Sequence, residues 1–143
     1  MIDLAIVLIF LLGVLALIDW KFKAIPSSFL TGILFATALI HFFNFEIGLI
    51  SLSFGTLAFV YAWMLYEANF IGGIADVKII VIIGLMISSV QTFFIFMLLV
   101  VLFGMAYKLI FRFILKKNDF EEVPFVPCLY AVYIVLFVMG GLA

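Results

Sequence analysis

Charge is what this chain has least of. Only 10% of its 143 residues are Asp, Glu, Lys or Arg, against about a quarter in ordinary soluble domains. Cysteine occurs once, at Cys128, and histidine once, at His41. A single cysteine excludes an intrachain disulfide and any Cys-x-x-Cys zinc site, and gives no reading of redox compartment. Neither metal nor cofactor is expected from such a composition. The net charge of −1 says little about solubility, and no nucleic-acid partner is expected. No internal repeat or low-complexity segment is visible. The chain starts Met1-Ile2-Asp3 with no basic region, and no small-residue cleavage site follows the first apolar stretch. That stretch is therefore expected to be a retained helix and not a secretory signal.

What fills the chain is hydrocarbon. Hydrophobic residues make up 70% of it, 19 of them Phe, and the mean hydropathy is +1.53. Such a chain needs lipid as its solvent, and the phenylalanines read as lipid-facing and packing surface. Uncharged runs extend over Leu4 to Ile18, Ala24 to Phe45, Ile47 to Tyr66, Ile79 to Tyr107 and Val123 to Ala143. Several reach the roughly 20 residues of a spanning helix. The expectation is all-α, a single domain over 1–143, with no room for a soluble one.

The run from Ile79 to Tyr107 is too long for one ordinary span and is broken by Ser88, Ser89, Gln91 and Thr92. Charge decides how to divide it. With six spans, Lys21, Lys23, Lys78, Lys108, Arg112, Lys116 and Lys117 all fall on one side, and Asp3 and Glu46 on the other, as the positive-inside rule requires. Merging the fourth and fifth spans would put Lys108, Arg112, Lys116 and Lys117 outside. The sequence thus predicts a six-helix membrane bundle, both termini outside, with helices over about 2–20, 27–44, 47–67, 72–90, 92–114 and 124–142. Pro26 suits the first turn of the second helix, and Pro124 with Pro127 the start of the sixth.

A fourth helix starting at Lys78 would have only about 18 Å before the polar turn, against a hydrocarbon core of about 30 Å. Starting it near Gly72 brings Asp76 inside the membrane by about one turn. Asp19 closes the first helix beside Trp20, a residue type enriched at the interface. Both carboxylates are then expected at one depth on the cytoplasmic side. Acidic side chains there cost a few kcal/mol and mark function or pairing. The plainer alternative is a pair of snorkelling charges, since Lys21 and Lys78 each lie two residues away.

The text around these acids resembles a known family. Asp19-Trp20-Lys21-Phe22-Lys23-Ala24-Ile25-Pro26 resembles the first motif of the prepilin and preflagellin peptidases, an Asp and a basic residue followed by Ile-Pro, with Ser27 where Asn is usual. Gly73-Ile74-Ala75-Asp76-Val77-Lys78 resembles their Gly-x-Gly-Asp-x-Lys motif, with Ala75 in place of the second Gly as in the archaeal form. Val123-Pro124-Phe125-Val126-Pro127 resembles the Pro-Phe-x-Pro that opens their last helix. The resemblance implies an intramembrane aspartic endopeptidase that cuts the leader from pilin-like or flagellin-like precursors, with Asp19 and Asp76 catalytic. Gly73, Lys78 and Pro26, further motif positions, and the adjoining Gly72 are then expected to line the substrate. A second activity, N-methylation of the trimmed product, accompanies a paired Cys-x-x-Cys region in larger members and is not expected here.

Two carboxylates sharing one proton can hydrolyse a peptide without metal, Ser/His or Cys/His machinery. Gly72 and Gly73 would admit a substrate backbone close to the acid, or else serve helix packing. His41 is expected at the interface near the outer end of the second helix, far from both Asp residues, and Cys128 as a small buried hydrophobe. Glu67, Glu121 and Glu122 read as solvated loop charges. The rival reading is a small transporter or proton relay through Asp19 and Asp76. A third is a structural assembly subunit. A relay wants polar groups across the full thickness, and the outer halves offer little beyond Thr37, Ser51, Ser53 and Thr56.

Overall fold

The structure, a computed structural model, describes residues 2–22, 27–43, 48–71, 73–113 and 125–140. Six helices follow one another: α1 (Ile2–Phe22), α2 (Ser27–Phe43), α3 (Gly48–Glu67), α4 (Ile74–Leu85), α5 (Val90–Phe113) and α6 (Val126–Val138). The protein is all-α, and α1, α3 and α5 are each long and apolar enough to cross a bilayer, which marks a membrane protein. α2 and α6 are shorter apolar helices. Pro26, Gly72, Lys23, Glu46, Lys116, Lys117, Glu121, Glu122 and Pro124 lie outside the described residues.

In apolar surroundings the backbone must satisfy itself, and helices do so locally. Hydroxyls follow the same rule: Thr37, Ser53 and Thr56 each donate to the carbonyl four residues back, at 2.8, 2.8 and 2.9 Å. α4 is the innermost element, packed against α2, α3 and α6. Ile79, Ile80, Ile82 and Ile83 have no accessible surface, as expected of a helix apolar all round. Its closest neighbour is α3, along a seam of small residues. A Cβ on Gly84 would come within 2.4 Å of the Ala58 Cβ, and one on Gly55 within 2.4 Å of Leu85. Small residues allow this approach where no hydrophobic effect drives helices together. α6 joins α4 to α1 and α5.

The fourth helix is shorter than the expected 72–90. It begins at Ile74 and ends at Leu85, about 18 Å of helix. Two local causes end it. Met86 N–H and Ile87 N–H turn back three residues to the Ile83 and Gly84 carbonyls, at 3.0 and 3.2 Å. Ser89 then caps α5, its Oγ accepting from Thr92 N–H at 3.2 Å and lying 2.7 Å from Thr92 Oγ1. The polar cluster breaks the long run as the sequence predicts, but its cap draws Ser88 and Ser89 out of α4.

His41 lies at the end of α2, as expected, and is fully buried there, Nε2 lying 3.4 Å from Met86 Sδ, because the end of α2 packs on the end of α4. Thr37 and Ser51 are buried at the same end. Ser53 and Thr56 are exposed.

Candidate active site

Asp19 is held inward by the register of α1. Ala5, Leu8, Leu12, Leu15 and Ala16 form that helix's buried stripe, and Asp19 is its next position, only 8% exposed. The stripe packs on α6, where Tyr133 Oη donates to the Ala5 carbonyl at 3.0 Å. At the other end of this contact, Asp19 Oδ2 accepts from the Val126 backbone N–H at 3.1 Å. Val126 opens α6, and its N–H is one of the donors a helix start leaves without an internal partner. Pro127 has no N–H, and Cys128 and Leu129 N–H both reach the Phe125 carbonyl. Asp19 therefore caps α6 from another helix.

Asp76, also 8% exposed, lies in the first turn of α4, where the positive end of the helix dipole favours a carboxylate. The approach to this turn is set by the end of α3. Asn69 takes a left-handed φ of 57°, with Phe70 N–H bonded to the Leu65 carbonyl and Asn69 N–H to that of Tyr66, at 2.9 and 3.0 Å. This pairing is a Schellman motif, and Asn is among the few residues other than Gly that accept it. It turns the Phe70 carbonyl toward Lys108, whose ammonium donates to it and sits 4.5 Å from the Phe70 ring centroid. Phe70 meets Phe125 edge to face at 6.0 Å. A Cβ on Gly104 would strike both rings, so that glycine makes room for them.

Both carboxylates belong to helices packed on α6. Asp19 holds Val126 N–H, while Asp76 sits in the first turn of α4. The Tyr107 ring packs against Phe111, which meets Trp20 beside Asp19. α1, α4, α5 and α6 thus each bring a polar group to this end of the bundle. Cys128 is buried, as the sequence suggests.

Among the other motif positions, Lys78 donates to Thr31 Oγ1 at 2.7 Å and ties α4 to α2 beside the site. Gly73 precedes α4 in extended conformation, and a Cβ there would meet nothing nearer than Ala75 N at 3.9 Å. Among the described residues, none comes closer than that to a Cβ at Gly73. An apolar groove of about 590 Å³ runs between α1 and α6, lined in part by Phe10, Gly13, Leu17, Trp20, Pro127 and Tyr130. Trp20 and Pro127 adjoin Asp19 and Val126, so one end of the groove opens beside the cluster.

The sequence does not single out Tyr107, Lys108 or the Val126 N–H. Asn69 at the end of an apolar run is the one local signal that could have located the turn before Asp76. Among the described residues no set of three His, Cys, Asp or Glu side chains is disposed to hold a metal ion. Compared with known proteins, the chain matches no family model, no curated protein and no solved structure.

Proposed function

We propose that this protein is an intramembrane aspartic endopeptidase of the prepilin and preflagellin type, with Asp19 and Asp76 as its catalytic pair. The observation that supports the reading is the burial of two acids, from helices distant in sequence that both pack on α6, one of them bonded to its first turn. Burying carboxylates in an apolar bundle is costly unless something uses them.

In this mechanism one carboxylate takes a proton from a water, whose oxygen attacks the peptide carbonyl carbon. The carbonyl oxygen takes the proton of the other, neutral carboxyl. As the C–N bond breaks, the leaving nitrogen takes the proton held by the first carboxylate, and a hydroxyl of the intermediate returns one to the second. Both groups end as they began. The groove between α1 and α6 suits an apolar segment following the cut. Six membrane helices with both termini outside, from the distribution of the basic residues, the 12-residue α4 lying within the bundle rather than crossing alone, would set this chemistry at the cytoplasmic face of the cell membrane. The partners are pilin-like or flagellin-like precursors and the bilayer.

A proton relay is the second reading, and the burial of Thr37, Ser51 and His41 at the opposite end speaks for it. Against it, Asp76 and Met86 are about 15 Å apart along the helix axis, and beyond Lys78, whose ammonium donates to Thr31, the α4 residues from Ile79 to Leu85 are isoleucine, valine, glycine and leucine. From Ile79 to Leu85 no side chain of α4 offers a polar step between the two ends.

Co-expression with candidate pilin-like and flagellin-like precursors, scored by gel mobility, tests the proposal. Wild type is expected to shorten a precursor, and Asp19→Asn and Asp76→Asn to insert normally and leave it uncut. Wild-type cleavage by either variant would remove the pair from the mechanism.

A further inference from the structure

One buried polar group beside the acids has no task in the resting protein. The hydroxyl of Tyr107 is inaccessible and has no hydrogen-bond partner among the described residues. Buried hydroxyls are almost always paired, and an orphan calls for an explanation. Its direction follows from helix register. Phe93, Phe96, Val100, Gly104 and Phe111 form the buried stripe of α5, and Tyr107 falls on that stripe between the last two.

Its neighbours along the stripe locate its ring. Gly104 abuts the rings of Phe70 and Phe125, and Phe125 precedes the residue whose N–H holds Asp19. On the other side, Phe111 packs against the Tyr107 ring at 4.8 Å and against Trp20 at 5.5 Å, and Trp20 follows Asp19. Tyr107 is thus bracketed by contacts to the residues flanking both Asp19 and its donor. The nearby cation, Lys108, gives one of its three N–H groups to the Phe70 carbonyl. A phenol offers a donor that carries no charge into the site.

We propose that Tyr107 is a catalytic residue of this site, its free phenol O–H donating to the carbonyl oxygen of a bound peptide as that oxygen gains charge. No proton leaves the tyrosine; the hydrogen bond alone strengthens as the carbon becomes tetrahedral. The inference rests on the peptidase reading. A donor aimed at developing charge acts on turnover and not on binding, and removing one such donor lowers kcat by about 10²-fold or more.

The test is Tyr107→Phe in the full chain, reconstituted in liposomes with a precursor that wild type cleaves, measured for kcat, KM and thermal unfolding. The expected result is a fall in kcat of about 10²-fold at unchanged KM, with an unfolding midpoint no lower than wild type. Loss of an orphan hydroxyl relieves a buried polar group, whereas loss of a structural hydrogen bond would lower the midpoint. A lowered midpoint with unchanged kcat makes Tyr107 a packing residue and overturns the proposal. If wild type cleaves, Asp19→Asn does not, and Tyr107→Phe keeps the wild-type kcat, the peptidase reading stands and the Tyr107 role falls. If wild type cleaves no precursor, the peptidase reading falls and takes this role with it.

Discussion

Asp19 carries two tasks that substitution can separate. Its carboxylate is half of the proposed pair, and it is also the acceptor that closes the first turn of α6 through Val126 N–H at 3.1 Å. Asn keeps a side-chain oxygen at nearly the same position, and Leu has similar size but no acceptor. Both variants remove the titrating group, so both are expected to lose cleavage by about 10²- to 10⁴-fold, or roughly 3–5 kcal/mol of transition-state stabilisation. They differ in the fold. Asp19→Leu leaves the Val126 donor buried and unsatisfied, which costs about 1–3 kcal/mol beyond Asp19→Asn. Comparing the two with each other, and not with wild type, cancels the relief both gain from removing a buried charge. Equilibrium unfolding in mixed micelles with rising SDS measures the difference. Equal stability of the Asn and Leu variants would refute the capping role. Full cleavage by the Asn variant would refute the catalytic one.

Three further outcomes are expected. Gly84→Ala brings a Cβ to 2.4 Å from the Ala58 Cβ, well inside the roughly 3.5–4.0 Å of a carbon contact, and should destabilise by about 1–3 kcal/mol. Adding Ala58→Gly should recover part of that loss, and a double-mutant cycle with no coupling would contradict the packing of α3 on α4. In a Cys128→Ser background, Cys introduced at 19 and 76 should join through a short bifunctional linker, with a direct disulfide only if the Cα atoms approach within about 7 Å. Absence of any cross-link, with or without a leader peptide, would mean the acids do not share a site. His41→Leu should leave cleavage unchanged and stability equal or higher, since His41 Nδ1 is buried without a partner among the described residues. A loss of cleavage would tie the two ends of the bundle together and favour the relay.

The sequence by itself determined that the chain dissolves in lipid, that it is helical, and where most helices lie. Apolar run length and the scarcity of charge are local quantities, and in a bilayer they leave the backbone no alternative to helix. The break at Ser88 and Ser89 and the anomaly of Asp19 and Asp76 were legible for the same reason: polar groups in an apolar sequence stand out. Facing was not legible. A helix apolar on every side carries no pattern to show which stripe turns inward, so the burial of Asp19 beneath Leu12 and Leu15 came only with the packing of α1 on α6. The 12-residue length of α4 depended on competition between its end and the Ser89 cap, and His41 was buried by a neighbour 45 residues away. Tyr107 is one aromatic among many in the chain. Only the tertiary structure buried its hydroxyl and set its ring against Phe111, because proximity across helices is decided by packing, which no local window of sequence contains.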